Sequence, residues 1–167
     1  MKDLLSFLFK ILKIIEDNGR ILTIIAMTLI VFIQVAARII FKWSSPAMEE
    51  SARFIMIWSI FIGAVVTTRE DSHICMGGFV SSPKGKAVFN IISKVVTLLF
   101  LCVFVKWSYE YALHSYSKNM SSIVLDVPLI VVHSCFMVTG SLMVIHTFLH
   151  LLKQIKNVRQ LYRGDAI

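Results

Sequence analysis

The stretch ILTIIAMTLIVFIQVAARIIF, from Ile21 to Phe41, decides the fold class. Its 21 residues hold one charged side chain, Arg38, close to the end of the run. A helix needs about 20 apolar residues to cross the hydrocarbon core of a bilayer, so this stretch has the length and composition of one crossing. We therefore expect a transmembrane helix here and an all-α integral membrane protein around it.

The composition of the whole chain agrees with this expectation. Hydrophobic residues make up 57% of its 167 residues and charged residues 16%, where soluble domains carry about 25% charged residues. The mean hydropathy is +0.77. At about 20 residues per crossing, the chain has room for no more than about four or five spans with short connections, which excludes a sizeable soluble catalytic domain.

Three further apolar runs follow the first, and together they predict a single membrane domain over residues 1–167. We predict spans at about 21–41, 47–68, 87–113 and 127–152. Pro46 marks the start of the second helix, because proline is tolerated in the first turn. The segment from Arg69 to Lys86 is rich in Gly, Pro and Ser, which indicates a turn-rich loop.

The first 17 residues predict an additional helix that lies in the plane of the membrane surface. Its polar side chains recur at helical spacing, which puts them on one narrow stripe; they are Asp3, Ser6, Lys10, Lys13 and Asp17. Asn18 and Gly19 predict a break between this helix and the first span. A cleaved signal peptide is the alternative; it is disfavoured because Lys10 and Lys13 interrupt the apolar stretch and no small-residue cleavage site follows.

The distribution of basic residues predicts the orientation. Of the 17 Lys and Arg, eleven fall on the side of the two termini, five on the other side, and Lys94 lies within a span. The positive-inside rule then places both termini, the Arg69 to Lys86 loop and the basic tail 153–167 in the cytoplasm. The net charge of +7 is spread along the edges of the spans, where it faces membrane lipids, and it forms no patch that indicates nucleic-acid binding.

Cysteines and histidines give little support for a cofactor. Cys75, Cys102 and Cys135 form no CxxC pair, so neither a disulfide framework nor a metal site is predicted. His146 and His150 share one helical face, and His133 stands alone near the other end of the same span. A membrane haem needs two histidines facing each other from different spans, so hydrogen bonding near the membrane boundary accounts better for all three.

The centres of all four runs lack Asp and Glu. Ion-coupled transporters and proton relays normally place carboxylates or unwound helices at midplane, so we expect a partner subunit, not an enzyme and not a self-sufficient transporter. Gln34 in the first span is best explained by a hydrogen bond to a neighbouring helix. Two alternatives stay open: a membrane anchor for a haem or quinone oxidoreductase, and a small exporter working as a homodimer.

The second span carries the most informative pattern. Ser59, Gly63 and Thr67 recur every fourth residue and form a ridge of small residues that lets another helix, of this chain or of a partner, approach closely. Ala52 and Ala64 extend this ridge. At one end of the span Glu49 and Glu50 precede Arg53 at helical spacing and can pair with it; at the other end Arg69, Glu70 and His73 form a polar cluster.

The stretch SPAMEESARFIMIWSIFIGAVVTTREDSHI, from Ser45 to Ile74, resembles the signature region of the small membrane subunit (DctQ type) of tripartite ATP-independent periplasmic (TRAP) transporters. That family shows a Trp and paired Glu before an Arg, then a Trp, a Gly-Ala pair, and an Arg before His-Ile. The matching residues here are Trp43, Glu49, Glu50, Arg53, Trp58, Gly63, Ala64, Arg69, His73 and Ile74.

The resemblance implies a function that composition and spacing do not reveal. In such transporters a periplasmic binding protein captures an organic acid, such as sialic acid or a C4-dicarboxylate, and delivers it to a complex of a large and a small subunit in the bacterial inner membrane. The large subunit carries the substrate and sodium sites. The small subunit, which this chain resembles, is expected to be a non-catalytic scaffold without a cofactor, and nothing in the sequence selects the substrate.

Overall fold

The computed structural model describes residues 2–43, 45–71 and 83–164. These residues form four helices: α1 (Lys2–Phe41), α2 (Pro46–Arg69), α3 (Pro83–Ser117) and α4 (Ile130–Gly164). Each helix contains a segment long and apolar enough to cross a membrane: Lys10–Phe41, Pro46–Arg69, Val88–Ser117 and Ile130–Arg159. The predicted fold class, an all-α chain with four membrane-spanning helices, is thereby confirmed.

The predicted helix break at Asn18 and Gly19 is wrong. α1 runs without interruption through both residues over its 40 residues, a length of about 60 Å. Gly19 costs the helix only about 1 kcal/mol relative to alanine, and its hydrogen atoms face Ile62 of α2, where a Cβ would still find ordinary contact at 3.8 Å. Residues 2–17 are therefore the first part of α1 and not a separate helix, and the position at the membrane surface predicted for them stays a prediction.

The helices are arranged as a row in the order α1, α2, α4, α3. Within the described residues the backbone of α1 packs against α2, α2 packs against α4, and α4 packs against α3. A closed four-helix bundle would also bring the first and last members of this row together. The row therefore leaves two broad faces and two edge helices, α1 and α3, open to lipid or to another protein.

In this arrangement few side chains are buried between the helices. The accessible surface is 11953 Å², against about 8,400 Å² for a compact soluble monomer of 19.0 kDa. The buried side chains among the described residues include more polar than apolar ones. Polar and small side chains are the groups that hold helices together in lipid, because lipid leaves no hydrophobic gain for burying Leu or Ile.

Aromatic rings and a close helix approach hold the middle of the row. Phe61 of α2 packs edge-on against Phe136 of α4 at a centroid distance of 4.8 Å, and stacks with Phe104 of α3 at 6.1 Å. Gly140 of α4 lies so close to α3 that an added Cβ would stand 3.0 Å from a methyl group of Val105. These contacts join three of the four helices at mid-span.

The connection between α3 and α4 is a small ordered turn. Ser121 and Pro128 form an antiparallel bridge, in which Ser122 N–H donates to the Val127 carbonyl at 2.9 Å. Because Val127 and Pro128 take part in this turn, α4 begins at Ile130, slightly later than the predicted span. The Pro128 carbonyl accepts the Val131 N–H at 3.1 Å and so caps the first turn of the helix.

Candidate functional site

The guanidinium of Arg69, at the last residue of α2, holds two carboxylates of α1. Its Nη1 donates to Glu16 Oε2 at 2.7 Å and its Nη2 donates to Asp17 Oδ1 at 2.5 Å. The side chains of Arg69 and Glu16 are 14% and 4% exposed. A planar guanidinium with its fixed fork of N–H donors suits this double contact, and a lysine ammonium would not reproduce it.

Two histidines of α4 and a lysine of α3 extend this group across the row. His146 Nε2 lies 3.0 Å from the second oxygen of Glu16, and His150 Nε2 donates to the Arg69 carbonyl at 2.9 Å. Lys94 of α3 pairs with Asp71, the second residue after the end of α2. We call these residues the Arg69 cluster: Glu16, Asp17, Arg69, Asp71, Lys94, His146 and His150.

The Arg69 cluster therefore connects all four helices at one level along their axes, where α2 ends. Taking charges out of water is costly, and a buried pair is kept only when its geometry and its additional hydrogen bonds offset that cost. Glu16 meets this condition because both of its carboxylate oxygens have partners, one on α2 and one on α4. The hydrogen bonds and ion pairs of the cluster hold the helices together in a protein whose apolar interior is small.

The opposite end of α2 is held by its paired glutamates. Glu49 accepts a hydrogen bond from Arg38 of α1 at 2.7 Å. Glu50 Oε2 accepts the backbone N–H groups of Val124 and Leu125 at 3.2 and 3.1 Å, which fixes the α3–α4 turn against α2. The pairing with Arg53 that the sequence predicts stays a prediction, and the Arg53 side chain is exposed.

The ridge of small residues lies between these two ends. A Cβ added at Gly63 would meet nothing within 4 Å, so no neighbouring helix of the described chain packs closely there. Thr67 Oγ1 donates to the Gly63 carbonyl at 2.9 Å and thereby satisfies its own hydroxyl. Ile60, three residues before Gly63, is 59% exposed. This part of α2 is an open surface in the chain by itself.

The remaining predicted residues lie at different places along α2. Trp43 is exposed after the end of α1. Trp58 is half-buried and lines a cavity of about 180 Å³ together with Glu16, Gly19 and Leu142. Ser59 is half-buried as well, and the Ala64 carbonyl accepts the Thr68 hydroxyl at 2.8 Å. His73 lies outside the described residues.

The signature residues thus do not form one site. Glu49 and Arg69 are 20 positions apart on one helix, which corresponds to about 30 Å along its axis. That distance matches the thickness of the hydrocarbon core of a bilayer. The charged residues connect α2 to its neighbours at each end, while the open ridge occupies the apolar part between them.

Two of the three histidines form hydrogen bonds, as the sequence predicts for all three. His146 and His150 bond to Glu16 and to the Arg69 carbonyl. His133 instead lies against the ring of Tyr111 at a centroid distance of 4.4 Å, and its Nδ1 has no hydrogen-bond partner within the described residues. No group of three or more metal-ligating side chains occurs in this part of the chain.

Of the Arg69 cluster, the sequence predicts only Arg69 as a site residue, and Glu16 is one of those that it misses. The sequence places Glu16 in the predicted surface helix of residues 1–17, which ends before the first span. One signal was present: Glu16 lies between Ile15 and Asp17, off the polar stripe of that helix, and a carboxylate on an apolar face needs a partner. The partners, Arg69 and His146, are 53 and 130 residues away, beyond the reach of any local pattern.

The row of membrane-length helices, fastened by polar side chains at two levels, defines a polytopic helical membrane protein. The sequence profile of the family described as "Tripartite ATP-independent periplasmic transporters, DctQ component" matches residues 27–157. The chain belongs to this DctQ family, which confirms the resemblance found in the signature. A Haemophilus influenzae protein named as a TRAP transporter small permease protein is 29% identical over 112 residues, which is 65% of this chain and 66% of that relative. The match thus spans slightly less than two thirds of the relative's length.

Proposed function

We propose that this chain is the non-catalytic scaffold subunit of a TRAP transporter and braces the large membrane subunit during sodium-coupled uptake of an organic acid. The single observation that carries the proposal is the open ridge around Gly63, in the middle of a helix that is fastened at both ends. Membership of the DctQ family supports a large subunit and a periplasmic binding protein as the partners. The acid is of the sialic acid or C4-dicarboxylate type.

The row of helices suits a bracing role. A subunit that enclosed its own substrate site would need helices around a central cavity, whereas this row has a thin interior and two open faces. Gly63 has no side chain and lies beside the exposed Ile60. A helix of the large subunit can therefore approach α2 closely at this position. The Arg69 cluster and the Glu50 contacts then keep α2 in place while the large subunit moves.

The orientation belongs to the same proposal. The Arg69 cluster lies at the end of the row that carries both termini, and the basic residues favour the cytoplasm for that end. The α3–α4 turn, held by Glu50, then faces the periplasm, where a binding protein delivering substrate would dock. The subunit resides in the bacterial inner membrane.

The rival proposal, an anchor for a haem or quinone oxidoreductase, is not favoured. Two of the histidines that suggested this alternative, His146 and His150, are hydrogen-bonded to Glu16 and to the Arg69 carbonyl. An absorbance spectrum of the purified chain distinguishes the two proposals directly, since a haem anchor shows a Soret band and a scaffold subunit does not.

Co-expression with a large subunit tests the proposed function. The chain is expected to co-purify with that subunit, and uptake of a labelled organic acid into proteoliposomes is expected to require both subunits, the binding protein and a sodium gradient. The isolated chain is expected not to bind the acid. Substrate binding by the isolated chain, or full uptake without it, would contradict the scaffold assignment.

A further inference from the structure

A groove runs between α3 and α4 at the Glu50 end of the row and consists of two adjoining cavities. The first has a volume of about 270 Å³ and is lined by residues that include Ser115, Asn119 and Ser121. The second, of about 330 Å³, is lined by residues that include Leu113 and Ser134. Tyr116 and Ile130 belong to the walls of both cavities, so we treat the two as one feature, the α3–α4 groove.

The groove follows the helices from the end of α3 into the span. The first cavity lies where α3 ends at Ser117; its lining is largely apolar, and the three hydroxyls and one amide among its residues belong to Ser115, Tyr116, Ser121 and Asn119. The second cavity lies one to two turns further into the span, where Ala112, Leu113 and Met137 form an apolar wall. The first cavity therefore lies at the end of the membrane-length segment of α3, where lipid headgroups begin, and the second lies beside the hydrocarbon.

Ser115 supplies a second, independent observation. Its side chain is 2% exposed, and its hydroxyl has no hydrogen-bond partner within the described residues. Two other serines of α3, Ser108 and Ser117, each donate to the carbonyl four residues earlier at 2.8 Å. Leaving a buried hydroxyl unpaired is unfavourable, so a ligand with an acceptor oxygen in the first cavity would relieve that cost.

We propose that the α3–α4 groove binds one phospholipid. An acyl chain lies in the second cavity between Leu113 and Met137, and an ester oxygen of the glycerol end accepts the Ser115 hydroxyl in the first. Lys118, exposed and next to the polar end, supplies a positive charge for the phosphate. Helix α3 is an edge of the row, so its open side is available to lipid.

Two aromatic rings at the rim of the groove support a lipid as its occupant. Tyr109 and Tyr116 stand exposed at the rim of the groove, at 56% and 65%, in the positions where aromatic rings usually meet lipid headgroups.

Native mass spectrometry of the full chain tests this proposal. The protein is purified in detergent, washed to remove lipid, and mixed with micelles containing dioleoyl phosphatidylethanolamine or dioleoyl phosphatidylglycerol. The unmodified chain is expected to retain one phospholipid at collision energies that remove loosely bound lipid. Ser134→Phe, which fills the second cavity, is expected to lower the retained fraction at least tenfold, and Ser115→Ala is expected to lower it several-fold.

A matched control adds the same aromatic ring elsewhere on α3. Val103 is 52% exposed and lies about 120° around the helix from Tyr109, so Val103→Phe is expected to retain lipid like the unmodified chain. Leu113→Trp fills the groove from the other wall and replaces Ser134→Phe if that variant does not fold. Equal retention by the groove-filling variants and the control would overturn the proposal. So would blocked co-purification of the large subunit by these variants with lipid retention unchanged, since the groove would then hold a protein helix.

Discussion

Replacing Arg69 by alanine should destabilise the chain more than removing any surface ion pair. The variant leaves Glu16 with His146 alone and takes from Asp17 its hydrogen bond at 2.5 Å. Breaking a buried ion pair by removing one partner costs about 3–5 kcal/mol, and the 4% exposure of the Glu16 side chain places this pair in that class. The matched control is Glu110→Ala, whose pair with Lys106 spans 3.9 Å between side chains more than 60% exposed; it should cost no more than about 1 kcal/mol.

Unfolding of the purified chain in mixed micelles with increasing sodium dodecyl sulfate, followed by circular dichroism, gives these free energies. A double-mutant cycle between Arg69→Ala and Glu16→Ala should show a coupling energy of more than about 1 kcal/mol, because the two residues are in direct contact. The free energy of unfolding of Arg69→Lys should lie between those of the parent and Arg69→Ala, since lysine keeps the positive charge but lacks the two N–H donors that contact both carboxylates. A loss below about 0.5 kcal/mol for Arg69→Ala, or a coupling energy of zero, would refute the view that the Arg69 cluster fastens the helices.

Three further predictions follow from local geometry. Gly63→Ala should stabilise the isolated chain by about 0.5–1 kcal/mol through helix propensity, whereas Gly140→Ala should destabilise it by roughly 1 kcal/mol or more, because its Cβ would crowd the stiff Val105 side chain; the same detergent titration measures both, and equal effects would contradict the assigned packing. Gly63→Leu should leave the isolated chain folded and reduce co-purification with the large subunit at least tenfold, and normal assembly of this variant would remove the ridge from the interface. Glu50→Gln should raise amide hydrogen exchange at Leu125 several-fold, because the neutral amide oxygen of Gln accepts a weaker hydrogen bond than the carboxylate does, while Glu49→Gln should not; identical exchange in the two variants would show that Glu50 does not hold the turn.

The helices themselves could be predicted because each is a continuous apolar run of membrane-spanning length. Pro46 marked the first residue of α2 correctly, since proline both tolerates the first turn and prevents an earlier start. The break expected at Gly19 did not occur, because a glycine weakens a helix by only about 1 kcal/mol and α1 packs against α2 at this point. A Gly in an apolar helix can also mark a close neighbour, which here is Ile62.

The site could be predicted only in outline. The signature of α2 identified Glu49, Glu50 and Arg69 as important, because charges at the ends of a membrane helix need partners. Their partners on α1, α4 and the α3–α4 turn depend on the order of helices in the row, which no local spacing encodes. Lys94 shows this limit clearly: in the sequence it is an unexplained charge within a span, and in the structure it pairs with Asp71.

The central claim is that the open ridge of α2 faces the large subunit, and site-specific photo-cross-linking tests it most directly. A photoreactive amino acid is placed at position 60, whose Ile is 59% exposed beside Gly63, and in a control at position 66, whose Val is completely buried within the chain. In the co-expressed complex, irradiation should join the chain to the large subunit from position 60 and not from position 66. Absence of any adduct from position 60, in a complex that co-purifies normally, would contradict the claim.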